Sequence, residues 1–448
     1  MNDDMEYVFS SVQVSKGDFF PIWSPSIDSL RSMMILPISF FFFLLGPSEL
    51  SASLWPLLAS LLTIILTFYI GRVLFDSKAG LVAAFLMAIF TLDIVFATQL
   101  VPSVPGMLFM TASMLLFLIA EKEKKKNKSK IYFVLSGVFI GLAYLAAELF
   151  FIMGFFFLSY FLWKRKFRKE YFLILAGFLI IFSIEAGFMY EKTGNPLHRL
   201  NVIHEAELTV ETNTDPNYYP RVIFDFIDPS YSAHEGNLGI FVYLFIIASL
   251  FAAYKREWRI VFLSIFILIA MTYLQFGVMT STFKPIAKWV RYLVIFSPAI
   301  CLSIAYLFVK TTKTRSLLIS ILIISFIATL PYTVGAAGIY NSWVSDFREA
   351  YNYLKTLPER PIFTDSGSHG YITLYFEFKR PIDILEYSTL DQLKDSYVII
   401  DGSSGVVSYP PMRNLLPEYA RNPPSDWILL RVITGGQDFY DPKIYYVP

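Results

Sequence analysis

Asp3, Asp4 and Glu6 crowd carboxylates into the first turn of the chain, with Tyr7 directly behind them and Gly17-Asp18 a short way on. A carboxylate beside apolar surroundings gains proton affinity and can serve as a general base toward a hydroxyl. The plainer role for the same residues is a solvated acidic tail. A second group is cationic: Lys284, Lys288 and Arg291, followed by Tyr292, bracket the start of an apolar run near Trp289. Such cations could hold an anion at a membrane surface, or only anchor a helix end by reaching lipid headgroups. The polar stretch 191–237 carries three of the four histidines among many acids. There His204 with Glu205, or with Asp225 and His234, could hold a divalent metal, although no pair has the HExxH spacing that puts two ligands on one helix face. A polar loop would carry these residues without any metal, so no metal ligand set is assigned and no other cofactor is indicated. Glu148 and Glu185 are single acids within or beside apolar runs, where ionisable groups are expensive.

The elements that must position these groups are membrane helices. With 55% hydrophobic residues, 44 phenylalanines in 448 residues and a mean hydropathy of +0.54, the chain exceeds what a soluble fold carries. Apolar stretches of crossing length are read near 53–75, 80–98, 104–120, 131–147, 148–163, 171–190, 238–254, 258–277, 289–309 and 316–334. Between them lie four basic clusters, Lys122–Lys130, Lys164–Lys169, Lys255–Arg259 and Lys310–Arg315. Short loops rich in Lys and Arg stay cytoplasmic, so these four share one side and the acidic loops the other. Two crossings must then fit between Lys130 and Lys164, turning near Glu148. The run Met33–Leu45 is too short for a comfortable span and contains Pro37, so it is read as interfacial. On that reading residues 1–30, the stretches 191–237 and 278–288, and everything after 335 lie outside. With no apolar segment before Met1, the N-terminal tail must cross without a signal peptide, or a helix must precede it. A net charge of +1 says nothing of partners because the two signs are segregated; nucleic acid is not indicated. The single cysteine, Cys301, sits in an apolar run, which excludes a disulfide and a thiolate metal site.

Beyond Asn341 the composition becomes that of a soluble domain. Ile362–Asp365, Ile382–Tyr387, Tyr397–Gly402 and Trp427–Ile433 read as strands, with helical patterns at 346–357 and 371–378 between them, which predicts a small α/β sheet. Gly402-Ser-Ser-Gly405 could turn a strand into a helix beside a phosphate, but lacks Walker or dinucleotide spacing. The domains expected are therefore 1–52, a first external loop with the acidic motif and an interfacial helix; 53–334, a polytopic membrane domain with the large loop 191–237; and 335–448, an external α/β domain. The fold class is an α-helical polytopic membrane protein of about ten transmembrane helices plus an interfacial segment.

Several of these motifs together resemble the GT-C glycosyltransferases of the family 39 type, which include protein O-mannosyltransferases and lipid A aminoarabinose transferases. Asp3, Asp4, Tyr7, Gly17 and Asp18, then Gly71, Arg72, Leu74, Phe75 and Gly80, stand where that family has its acidic pair, tyrosine, Gly-Asp and Gly-Arg-x-Leu-Phe turn. The likeness resumes at Thr193–Arg199 and at Lys288–Pro298, where an Arg-Tyr precedes a proline. Asp4 replaces the family's usual Glu, Ser103 stands where relatives often have an acid, and Glu148 near where many have a basic residue used for phosphate; a divergent or N-terminally truncated member fits these departures.

The resemblance implies sugar transfer from a polyprenyl-phosphate donor to a protein, lipid or glycan acceptor on the extracytoplasmic face, with inversion. It implies Asp3 as base, Asp4 as its orienter, Arg291 with Lys288 and Lys284 for the donor phosphate, and Tyr7, Tyr292, His204 and Glu205 near the acceptor or its loop. Membrane lipid is the other partner. The competing reading is a catalytically inactive GT-C-like subunit that binds proteins through its external domain; a transporter would show repeats or broken helices that are not found.

Overall fold

The computed structural model of the chain describes residues 3–17, 26–209, 215, 217–224, 238–277, 286, 288–312, 314–400, 416–434 and 442–448. Its helices are α1 (Asp3–Ser15), α2 (Ser32–Leu45), α3 (Glu49–Leu74), α4 (Ser77–Ala88), α5 (Thr91–Phe96), α6 (Ser103–Lys122), α7 (Lys126–Ala146), α8 (Ile152–Lys164), α9 (Phe172–Thr193), α10 (His198–Thr209), α11 (Tyr218–Phe224), α12 (Ile240–Tyr254), α13 (Trp258–Phe276), α14 (Ser297–Thr311), α15 (Arg315–Leu354), α16 (Ser366–Tyr375) and α17 (Glu418–Arg421). The strands are β1 (Ile362–Thr364), β2 (Ile382–Ile384), β3 (Ser396–Ile400), β4 (Ile428–Val432) and β5 (Lys443–Val447). The chain divides into two units, one of residues 1–19, 38–52 and 337–448, the other of residues 20–37 and 53–336. The expected 1–52 loop is thus split, and its acidic start is a helix.

The second unit is the membrane bundle. Among the described residues seven helices are long and apolar enough to cross a bilayer, and four shorter apolar helices accompany them. The chain is a multi-pass membrane protein. The stretch 80–98, expected as one span, is broken. Phe90 adopts an extended conformation after α4 and is fully buried against Phe241, ring centroids 4.7 Å apart. That bend starts α5 afresh and brings Asp93 to the Ser60 hydroxyl on α3, 2.7 Å away. Just before it, α3 and α4 touch back to back: a Cβ on Gly71 would lie 2.6 Å from the Gly80 Cα, and one on Gly80 would lie 2.5 Å from the Phe68 carbonyl oxygen. Only glycine allows backbones so close, which explains Gly71 of the Gly-Arg-x-Leu-Phe motif and the Gly80 that follows it.

The basic clusters gather at one end of this bundle. Lys122 donates to the Val73 carbonyl and lies within Coulombic reach of Arg259 and Lys164. Arg259 grips Glu257 through Nε and Nη2 at 2.6 and 2.7 Å and donates to the Leu74 carbonyl at 2.9 Å. Arg259 and Lys310 line one small cavity with Asp76 and Tyr306, while Arg168 reaches Glu121 at 3.1 Å. Loops far apart in sequence therefore share a face, as the charge pattern requires of short cytoplasmic loops.

The first unit carries the sheet, in the order β2-β1-β3-β5-β4. β1 pairs in parallel with β2 and β3, whereas β5 pairs antiparallel with β3 and β4. Alternate strand residues feed two apolar layers: Ile362, Tyr397 and Ile399 join Phe347, Ala350 and Leu354 of α15, while Phe363 and Val398 join Leu385, Trp427 and Val447. β5 was not expected from the sequence, yet it completes the sheet between β3 and β4. The helical pattern 346–357 is the last part of α15, and the pattern 371–378 belongs to a helix that starts earlier, because Asp365 caps it by accepting from the Ser368 amide at 2.9 Å.

Candidate functional site

In the membrane bundle the expected phosphate ligands sit at the entry to α14. A 3-10 helix, Val290–Phe296, precedes α14, so Arg291 and Tyr292 lie on a tight turn, and the Arg291 guanidinium stacks over the Trp289 ring at 5.0 Å. Lys288 is buried and donates from Nζ to the Asp215 carbonyl at 2.6 Å. Burial lowers its proton affinity from the usual lysine value, while Asp215 opposes that shift. Arg221 holds the Asp215 carboxylate at 3.3 Å, and Gln275 accepts from the Tyr219 amide at 3.0 Å. The Tyr219 hydroxyl donates to the Trp289 carbonyl at 3.3 Å. The effect is to sew part of the 191–237 stretch onto the turn that presents Arg291. Lys284 lies outside the described residues, as do Asp225, His234 and the 402–405 turn.

His204 and Glu205 are exposed on α10. Among the described residues no group of three His, Cys, Asp or Glu gathers as a metal-holding set. Arg199, at the start of the same helix, is buried with 2% of its side chain exposed, and faces Glu185 at 3.3 Å. It also donates to the Leu30 carbonyl at 2.7 Å and the Tyr144 carbonyl at 2.8 Å, over the Tyr144 ring. The sequence placed Arg199 in a motif and Glu185 near a helix end without pairing them. Asp93 went unremarked, although one acid inside an apolar run was the available signal.

In the α/β unit the acidic motif rides on α1. Tyr7 is fully buried. Phe9 stacks on the His369 ring of α16 with centroids 5.6 Å apart and planes 4° apart, and meets Phe378 edge-on at 5.2 Å. A Cβ on Gly370 would sit 2.4 Å from Met5, so α1 fits α16 only because that position lacks one. The helix bearing Asp3 and Asp4 is therefore fastened to the C-terminal α/β fold. Burial lowers the proton affinity of His369 from its ordinary value, against a hydrogen bond to the Ile382 carbonyl and the nearby Asp383 and Glu386 carboxylates. The unfolded chain then binds the proton more readily, so stability held above the ordinary histidine range falls as pH drops through that range toward the lowered value. With the intrinsic pH dependence of amide exchange divided out, protection in α16 is expected to fall from pH 7.5 to 5.5, and His369→Gln to flatten that change; equal slopes in both proteins would refute it.

Taken end to end, the chain has the GT-C glycosyltransferase fold. The family model for dolichyl-phosphate-mannose-protein mannosyltransferases matches residues 33–187. ArnT from Cupriavidus metallidurans in the apo state superposes with a TM-score of 0.62 at 14% identity, covering 99% of this chain and 93% of that one. The same protein bound to undecaprenyl phosphate gives 0.62 at 12%, with the same coverage. The apo oligosaccharyltransferase of Archaeoglobus fulgidus gives 0.50 at 13%, covering 93% of this chain and 67% of its own. No curated protein matches the sequence. The resemblance to GT-C enzymes of the family 39 type holds.

Proposed function

We propose that this protein transfers a sugar from a polyprenyl-phosphate donor to a hydroxyl-bearing acceptor outside the cytoplasm, with inversion. The observation that carries the reading is coverage: the likeness to ArnT, a protein solved with undecaprenyl phosphate, runs through 99% of this chain, the α/β domain included. The acceptor oxygen attacks the anomeric carbon as Asp3 takes its proton, and the bond to the phosphate oxygen breaks with its electron pair left on the leaving group. A base at that point contributes roughly 10² to 10⁴ in rate. The Arg291 guanidinium meets the charge that grows on the phosphate, and Asp4 orients the base. Positive loops at one end of the bundle favour that end as cytoplasmic and the α14 entry as external.

The test is transfer itself. Reconstituted full-length protein is given radiolabelled polyprenyl-phosphate sugars from native membranes, and label is followed into lipid, glycan and protein fractions. Transfer is expected; its absence with every donor pool would overturn the reading in favour of a non-catalytic subunit. Within an active protein, Arg291→Ala is expected to weaken donor-lipid binding about tenfold or more, the scale of one charge-assisted hydrogen-bonded pair, and to leave acceptor binding unchanged. Equal losses in both would remove Arg291 from the donor.

A further inference from the structure

Beside the Lys164–Lys169 turn the bundle is not filled. A cavity of about 620 Å³ lies among α6, α7, α8 and α9, walled by Phe117, Ile140, Gly154, Leu158, Phe161 and Phe178. A space of this size exceeds the few small voids of a packed interior, and its apolar walls offer water no hydrogen-bond partners. Leu158, Phe161 and Leu175 on its rim are exposed, so it opens to the side, toward lipid.

One end of the cavity is polar. Tyr160 and Tyr171 belong to its wall and turn their hydroxyls onto Glu121 at 3.1 and 3.2 Å, where Arg168 also binds. Phe167, inside the basic run, is a wall residue as well. Arg168 faces both Glu121 and Glu170, while Lys164, Arg165, Lys166 and Lys169 are exposed on the same turn as the wall residue Phe167. An apolar slot beside a turn whose five cations, Lys164, Arg165, Lys166, Arg168 and Lys169, outnumber the Glu121 and Glu170 carboxylates matches a molecule with a hydrocarbon chain and an anionic head.

We infer that the cavity binds an anionic phospholipid of the leaflet facing the basic end, with an acyl chain among α6–α9 and the phosphate on the Lys164–Lys169 turn. The donor lipid is the alternative occupant. Against it, the 22 residues Val290–Thr311 separate Arg291 from the basic end by on the order of 30 Å at helical rise. The two cationic mouths therefore serve opposite faces of the bilayer, and the inference does not depend on sugar transfer.

Native mass spectrometry of the detergent-released full chain tests it, with phosphatidylglycerol, phosphatidylcholine or undecaprenyl phosphate added singly and in competition. Phosphatidylglycerol is expected to be retained about tenfold better than phosphatidylcholine, given what a few basic residues add near an anionic surface. Lys166→Glu with Lys169→Glu should erase that preference and leave chain binding in place. Gly154→Leu, where a side chain meets open space, should lower retention of both phospholipids; Leu158→Trp from the same wall is the second filling variant should the first fold poorly. Equal retention of the two phospholipids overturns the inference, as does phosphatidylglycerol retention unmoved by either filling variant. Displacement of phosphatidylglycerol by equimolar undecaprenyl phosphate also overturns it, assigning the cavity to the donor's tail.

Discussion

Asp3→Asn is expected to lower the turnover of sugar transfer by roughly 10² to 10⁴ while the donor still binds, because the amide keeps the shape of the carboxylate and cannot accept the acceptor's proton. Asp4→Asn should cost less, since an orienting group leaves the proton's destination intact. The readout that separates a base from a structural residue is the pH profile: the variant should lose the acid limb that reports ionisation of the base, with unchanged thermal unfolding. Wild-type turnover in Asp3→Asn would dismiss Asp3 and move the search to Glu6. The α1 contacts make a second comparison possible. Gly370→Ala forces a methyl into Met5 and so shifts the helix that carries both aspartates without touching either.

The second large effect concerns stability. Arg199→Met takes the guanidinium away from Glu185, 8% exposed, and strips a donor from the carbonyls of Leu30 and Tyr144. Breaking a buried pair from one side costs about 3–5 kcal/mol, whereas replacing both members by apolar residues can be near neutral. Thermal unfolding in detergent should therefore show a large loss for Arg199→Met and a partial recovery for Arg199→Met with Glu185→Leu. If the single variant unfolds within about 0.5 kcal/mol of the parent, the range of ordinary surface changes, the cluster is not holding the Leu30 turn to α7 and α9.

These two predictions differ in how legible their residues were. Asp3 and Asp4 were candidates from residue type and position, but that they ride a helix bound to α16 was hidden. The contact joins residues more than 350 positions apart, Phe9 with His369 and Met5 with Gly370. The Arg199 cluster was hidden for the same reason, since its partners come from three separate parts of the chain. Signals for some of what was missed did exist. Asp365 with Ser368 is a helix cap readable from type and spacing, and Lys443–Val447 is rich in aromatic and β-branched residues.

By itself the sequence determined that this is a multi-pass membrane protein, roughly where its helices run, and that a small α/β domain follows. Those properties are local: a window of apolar residues, a basic turn or an alternating strand means nearly the same whatever surrounds it. Only the tertiary structure decided that Phe90 breaks a span so that Asp93 meets Ser60, that Lys288 is tied to the Asp215 carbonyl, and that α6–α9 leave an apolar cavity of about 620 Å³ beside a basic turn. Each of these depends on backbone distances between segments remote in the chain, and such distances are set by packing, which no single stretch of sequence contains.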